Sequence, residues 1–325
     1  MVMTMRTIVP AEGAILERIL ETTYPSRHDG LSRHAFANCD TALRSTPWAL
    51  HHEQRFALVD GTNVLASAQR QNLTATLGGR DVRAYGISGV FVEPARDGDR
   101  HEEELLERLL DDARADYEIA LLWIPAHQRS RAPGGFEPIP TMDVELRVAE
   151  SSRRGAPMTL VRGGEDRDLA AIVAMGNARA AQFRFHLNRD VDLVKYAITK
   201  KRLLAGLGPP GVRQLQFVIA EEGITAAAYV VISIAGAIWT IEECGDRDPS
   251  AARVGAILQA LIAREPAERR PVIRGWLPPG LVPPQVTILS AQPSEEVVMV
   301  KVLSATIEQP RLSAADVLYW RSDIF

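Results

Sequence analysis

The sequence predicts an α/β (α+β) chain of two tandem domains, each a mixed, mostly antiparallel sheet flanked by helices. The 325 residues exceed the usual size of one domain and fit two cores of about 150 residues each. Both halves run through the same order of elements: two helices, a meander of strands, then a strand-helix-strand unit. A polar, loop-like stretch, Glu150 to Pro157, separates them and sets the domains at 1–150 and 151–325.

In the first half, Ile15, Leu16, Ile19 and Leu20 recur at helical spacing within 10–23, and a loop from Pro25 to Gly30 breaks the pattern. A second short helix is expected near 31–43. RFALVD (55–60) and NVLASAQ (63–69) flank Gly61-Thr62 as paired strands, and DVRAYGISGVFVE (81–93) follows the Gly78-Gly79 turn as a longer strand. Next, EEELLERLLDDARAD (102–116) places Leu105, Leu106, Leu109, Leu110 and Ala113 on one helix face, and the apolar IALLWI (119–124) reads as a buried strand. A loop over 126–135 leads into GFEPIP (135–140) and MDVELRVAE (142–150), whose alternation suggests the final strand of the first domain.

The second half repeats this more loosely. LAAIVAMGNARAAQ (169–182) and VDLVKYAITKKRLLAGL (191–207) are helices, and LQFVIAEEGITAAAYVVISI (215–234) and AIWTIEE (237–243) are strands broken by turn residues. ARVGAILQALIAREP (252–266) is a further amphipathic helix, PVIRGWLPPG (271–280) a short strand entering a Pro-rich loop, and VVMVKVL (297–303) a late strand.

Composition excludes several classes. Hydrophobic residues make up 46% and no run of 18 apolar residues occurs, so no membrane partner is expected. The net charge is −4 and the basic residues are scattered, which removes nucleic acid from the expected partners. The first residues lack the apolar core of a secretory signal, so the expected location is cytoplasmic. Cys39 and Cys244 lie in no CxxC or CxxH spacing, and neither a metal site nor a disulfide is expected.

GVFVEP, a short loop with Gly98, the Leu-rich helix, LLWI and GFEPIP together resemble the GNAT superfamily of N-acetyltransferases. AAYVV, AIWTIEECGDRDPSAARVGAILQAL and RGWLPPG look like the partner domain of tandem GNAT proteins of the Eis (enhanced intracellular survival) type. The resemblance covers nearly the whole chain, without the third, sterol-carrier-like domain of longer relatives. It implies acetyl-CoA as cosubstrate, with the pantetheine arm along Val90, Phe91 and Val92 and the pyrophosphate at Gly98, Asp99, Arg100 and His101. Orphan N–H groups and the helix dipole favour an anion at such a helix start.

The sequence departs from the family at two places. The family loop, Arg/Gln-x-x-Gly-x-Gly/Ala, laid on 97–102 puts Asp97 at the basic or Gln position, Arg100 at a Gly position and Glu102 at a Gly/Ala position. Asp97, Asp99, Glu102, Glu103 and Glu104 then gather negative charge where a diphosphate would sit, either repelling it or pointing outward as a solvated, dipole-complementing cluster. The tyrosine that serves GNAT enzymes as proton donor is replaced by Arg131, which stays protonated and cannot donate. His127 has the intrinsic pKa for proton transfer, or is a surface residue of an Arg-rich loop.

The chain closes on Tyr319, Trp320 and Phe325, too aromatic for a free tail. The resemblance implies that the Phe325 main-chain carboxylate reaches back to the first domain as general base; the plain reading is a docked terminal strand or turn. Arg27-His28-Asp29 falls where GNAT folds wall the acceptor site, although short charged triplets are common in loops. His186 to Asp190 reads as a turn or cap, and the Glu242, Glu243 pair as a solvated strand end.

The expected function is acyl-CoA-dependent N-acyltransfer to a small-molecule amine by direct attack, with a homo-oligomer as the usual assembly of tandem relatives. The alternatives are a GNAT-fold binding or regulatory protein that does not use acetyl-CoA, and acyl-CoA chemistry without an amine acceptor.

Overall fold

The computed structural model describes residues 6–93, 98–149 and 160–323. In chain order it contains β1 (Thr7–Pro10), α1 (Gly13–Arg27), α2 (Arg33–Arg44), α3 (Pro47–His52), β2 (Glu53–Asp60), β3 (Asn63–Leu77), β4 (Arg80–Val92), α4 (Gly98–Ala113), β5 (Ile119–Pro125) and β6 (Glu137–Ile139). There follow β7 (Met142–Val148), β8 (Leu160–Gly163), α5 (Leu169–Ala180), β9 (Phe185–Leu187), α6 (Val191–Leu207), β10 (Arg213–Glu222), β11 (Thr225–Ala235) and β12 (Ile238–Asp246). The last are α7 (Ala252–Ile262), β13 (Val272–Gly275), β14 (Val286–Pro293), β15 (Glu296–Val302) and β16 (Val317–Leu318). None of these helices is long and apolar enough to cross a membrane.

Among the described residues, the first compact unit comprises 6–93, 98–140 and 295–313. Its sheet runs β1-β2-β3-β4-β5-β15-β6. Neighbours pair antiparallel except β4 and β5, which are parallel because α4 carries the chain from one to the other. Leu105, Leu106, Leu109 and Leu110, spaced as the sequence predicts, are each 2% exposed or less and pack with Leu58, Tyr85, Ile87 and Leu122. Burying each contributes about 1.5–3 kcal/mol. Ile19 of α1 packs with Ala57, Val59 and Val64, whose strands present alternate residues to the opposite face. Ser32 caps α2 by accepting from Ala35 N (3.2 Å), and Thr46 caps α3, which opens on Pro47.

Among the described residues, the second compact unit comprises 141–149, 160–294 and 314–323. Its sheet runs β14-β7-β13-β12-β11-β10-β8. Here α7 makes the crossover between the parallel strands β12 and β13. Leu169, Ile172 and Met175 of α5 and Val194 and Ile198 of α6 meet Phe217, Ile219, Tyr229 and Val231. Outside the main sheet, β16 pairs parallel with β9.

The fold class is the expected one, but two strands belong elsewhere than their place in the sequence suggests. MDVELRV is β7 and pairs with β13 and β14 of the second unit. VVMVKV lies in β15 and fills the first sheet between β5 and β6. The unit boundary thus falls between 140 and 141 rather than at 150, and the chain re-enters the first unit near its end. Alternation marks a half-buried strand without naming its partner. Residues 314–323 belong to the second unit. Helix α1 also runs through Pro25 to Arg27, past the expected break.

Candidate active site

The parallel ladder between β4 and β5 joins Ala84–Ile87 to Ile119–Leu122 and stops, although both strands run on, to Val92 and Pro125. Just past that point β4 is irregular: Ser67 pairs with Phe91 and Gln69 with Ser88, so Gly89 and Val90 together oppose Ala68. Gly89 sits at φ +59, where a side chain is strained. Its added Cβ would also come within 2.8 Å of Gln69 Oε1 and 3.3 Å of Arg27 Nη1. Val90, Phe91 and Val92, expected to meet the cofactor, form the half-buried end of β4 beyond the ladder.

Helix α4 starts at Gly98, on the way from that strand end to β5. Asp99 is its second residue, Arg100 is exposed, and His101 and Glu102 are buried. Asp97 lies outside the described residues. The negative charge gathered at this helix start is smaller than the sequence count implies. Glu102 forms an ion pair with Arg131 (3.7 Å), Glu104 is held by Arg6 (2.9 Å) and Arg108 (2.6 Å), and Glu103 is exposed. The residue standing where the family has its tyrosine thus neutralises one standing where the family has a small residue.

Polar groups collect on the sheet face opposite α4. Gln69, Gln71 and Ser88 share that face, since Tyr85 and Ile87 point toward α4. Gln71 donates to Ser88 Oγ (2.8 Å), both residues are fully buried, and Gln71 Oε1 has no partner. Gln69 donates to Glu53 (3.0 Å). The Arg27 guanidinium donates to the Val90 carbonyl, and no carboxylate among the described residues lies within ion-pairing distance of it. Surrounding protein atoms and the neighbouring Arg55 push its pKa down, against Glu296, while its side chain stays exposed to solvent. Gln71 and Ser88 carried no sequence signal, because a polar residue in an apolar strand is visible only once its face is known.

His127 lies exposed in the short 3-10 turn Ala126–Arg131 after β5, its Nε2 3.3 Å from Gln128 Nε2. Phe325, the other catalytic expectation, lies outside the described residues. His28 Nδ1 accepts from Gly30 N (3.0 Å), and Asp29 takes a left-handed turn at φ +51.

The second unit has a counterpart of this arrangement, differently filled. The β12–β13 ladder ends at Ile241 and Gly275, and Glu242 is bulged there. The turn from β12 to α7 is capped by its own carboxylates: Asp246 accepts from Asp248 N and Arg253 N (both 2.9 Å), and Asp248 accepts from Ser250 N (2.9 Å). Beside the strand, Arg189 grips Glu243 through two bonds (2.7 and 2.8 Å), and Tyr229 (2.5 Å) and Ser322 (2.8 Å) donate to the same carboxylate. Asp323 lies 3.1 Å from Arg189 Nε, close enough to attract but not aligned for a hydrogen bond. Burial opposes charge on Glu243, yet Arg189 holds its pKa below the usual value. Burial pushes Asp323 up to about 6 despite Arg189. The expected solvated acidic end of β12 is therefore a buried network, with Lys201 on Glu242 (3.0 Å).

No family model and no curated protein sequence matches the chain. Solved structures do. A GCN5-related N-acetyltransferase from Anabaena variabilis aligns at 12% identity over 92% of this chain and 73% of that one, with a TM-score of 0.67. Eis1 from Mycobacterium abscessus aligns at 15% over 92% and 74%, with a TM-score of 0.55. Saccharomyces cerevisiae N-myristoyltransferase with bound myristoyl-CoA aligns at 11% over 93% and 83%, with a TM-score of 0.53. The chain has the fold of the GCN5-related N-acetyltransferases through both of its units, including that of Eis1.

Proposed function

We propose that this chain is an acyl-CoA-dependent N-acyltransferase acting on a small amine by direct transfer, with the first unit as the working one. The observation that carries this reading is the end of the β4–β5 ladder at Ile87 and Leu122 beside the start of α4, in a fold shared with acyltransferases. The residues present fit acetyl-CoA. Val90 to Val92 offer strand backbone beyond the ladder, and Gly98 leaves room, its added Cβ meeting nothing closer than Val92 Cγ1 at 3.5 Å. The exposed Arg100 adds positive charge to the amides of the helix start, with Asp99 and His101 beside it. When bound, acetyl-CoA supplies an activated thioester.

What the chain itself contributes is positioning. Its α4 side holds the cofactor, and the exposed Arg27, on the opposite side of the strand end, meets the acceptor. The Phe325 carboxylate takes the amine proton, and His127, in place of Arg131, which cannot donate, returns one to the CoA thiolate that leaves as the amide bond forms. A second reading, a binding protein that does not use acetyl-CoA, draws on the buried Glu102 at a position the family keeps small.

Thermal unfolding with and without acetyl-CoA separates the two, because a ligand of the native state must raise the melting temperature. The enzyme reading expects a rise at about millimolar acetyl-CoA, together with thiol release in the presence of an accepted amine. An unchanged melting temperature in folded protein sinks it.

A further inference from the structure

We propose that the second unit binds a small organic monocarboxylate in the cavity between α5 and the turn that follows β12. The cavity measures about 300 Å³, within the range of small-ligand sites.

Its lining is amphiphilic. Ala171, Ala174, Met175 and Ala178 form one wall, spaced as a single stripe of α5. Short side chains on a helix face normally let a neighbouring element approach; here they border open space. Polar groups come from Arg179, Gln182, Asp246 and Arg247.

The charges do not cancel. Asp246 is fully engaged, by Asp248 N, by Arg253 N and by the Arg253 guanidinium (each 2.9 Å), so its charge is answered without either cation of the cavity. Among the described residues Arg247 donates to the Thr225 hydroxyl (3.2 Å) and to no carboxylate. Arg179 donates from Nη2 to the Pro279 carbonyl (2.9 Å), its Nε is buried without a partner, and no carboxylate among the described residues pairs with it. Burial, which outweighs the nearby Cys244, depresses its pKa, as expected of a cation short of an anion. Two guanidinium groups beside an apolar stripe match a carboxylate carried on a short hydrocarbon body. A bare phosphate would satisfy the cations and leave the stripe uncovered. All of its lining residues belong to the second unit, and the proposal does not rest on the acyltransfer reading.

Titration calorimetry of the full chain at neutral pH with hexanoate, hexanamide and inorganic phosphate tests it. Hexanoate is expected to bind about tenfold or more tightly than the uncharged hexanamide, the usual size of a charge-assisted contact. Arg179→Gln should remove that preference. Ala174→Trp, at an exposed position that leaves the core intact, should block hexanoate by filling the cavity. Equal binding of hexanoate and hexanamide, no hexanoate binding up to about 10 mM, binding of phosphate in its place, or unchanged binding in the folded Ala174→Trp variant would each overturn the proposal.

Discussion

Arg131 Nη1 lies 3.7 Å from Glu102 Oε2 and joins the turn after β5 to the first turn of α4. Two residues that each depart from the family pattern are therefore partners. Glu102 is only 11% exposed at its side chain and Arg131 is 50% exposed, so the pair is partly screened. Glu102→Gln and Arg131→Gln should each lower stability, and the double variant should cost less than their sum, with a coupling of about 0.5–1 kcal/mol. Urea unfolding of the four proteins measures it; strict additivity would show the pair to be idle.

At Gly89 the left-handed backbone and the crowding act together. Gly89→Ala should destabilise by about 1–2 kcal/mol. Gly79, at φ +83 with nothing within 4 Å of an added Cβ, carries the strain alone. Gly79→Ala is therefore the control: it should lower the melting temperature less than Gly89→Ala and leave acetyl-CoA binding untouched.

Arg27 serves the acceptor side in the reading above, reaching the Val90 carbonyl from the face opposite α4. Arg27→Ala should reduce kcat/KM for the amine by about tenfold or more, as loss of a charged contact does. The acetyl-CoA-induced rise in melting temperature should survive. Loss of that rise along with turnover would place Arg27 with the cofactor instead.

The buried network around Arg189 makes two pH predictions of opposite sign. Glu243 is held below its ordinary pKa, so the stability it contributes is complete above about pH 4.5 and is lost as pH falls through its folded value. Asp323 is pushed from 3.8 up to about 6, so between those values the folded state binds the extra proton and stability declines as pH rises. Asp323→Asn should thus gain on the parent protein as pH goes from 4 to about 7, followed by thermal unfolding across that range. Glu243→Gln leaves Arg189 facing only Asp323 in a buried site and should cost about 3–5 kcal/mol. If the two variants behave alike across pH, the proton at this cluster has been wrongly placed.

Much of the local structure was legible in the sequence. The leucines of α4 announced its buried face, and the glycine-punctuated alternation of 55–93 announced β2 to β4. Which sheet a strand joins was not legible: Val144 and Leu146 alternate as they would in either unit, and only the tertiary partners decide. Helix α3 is six residues long, too short for a periodic signal, and β14 is exposed along most of its length, with no inward stripe to read. At the candidate site Val90 to Val92 and Gly98 were named through the family resemblance, and they form a strand end and a helix start. The pairings did not: Glu102 looked like unanswered charge because Arg131 is distant in sequence, and Glu243 looked like a solvated end because Arg189 and Ser322 come from elsewhere in the unit.

The position of β15 has a consequence for how the chain is made. One edge of β5 is covered from Ile119 to Pro125 by β15, which emerges from the ribosome about 170 residues later. At about 5–20 residues per second, that apolar edge waits roughly ten to thirty seconds for its partner. During that interval the nascent first unit offers an open, hydrophobic strand edge to any other chain. Only when the strand beginning at Glu296 arrives is that edge closed.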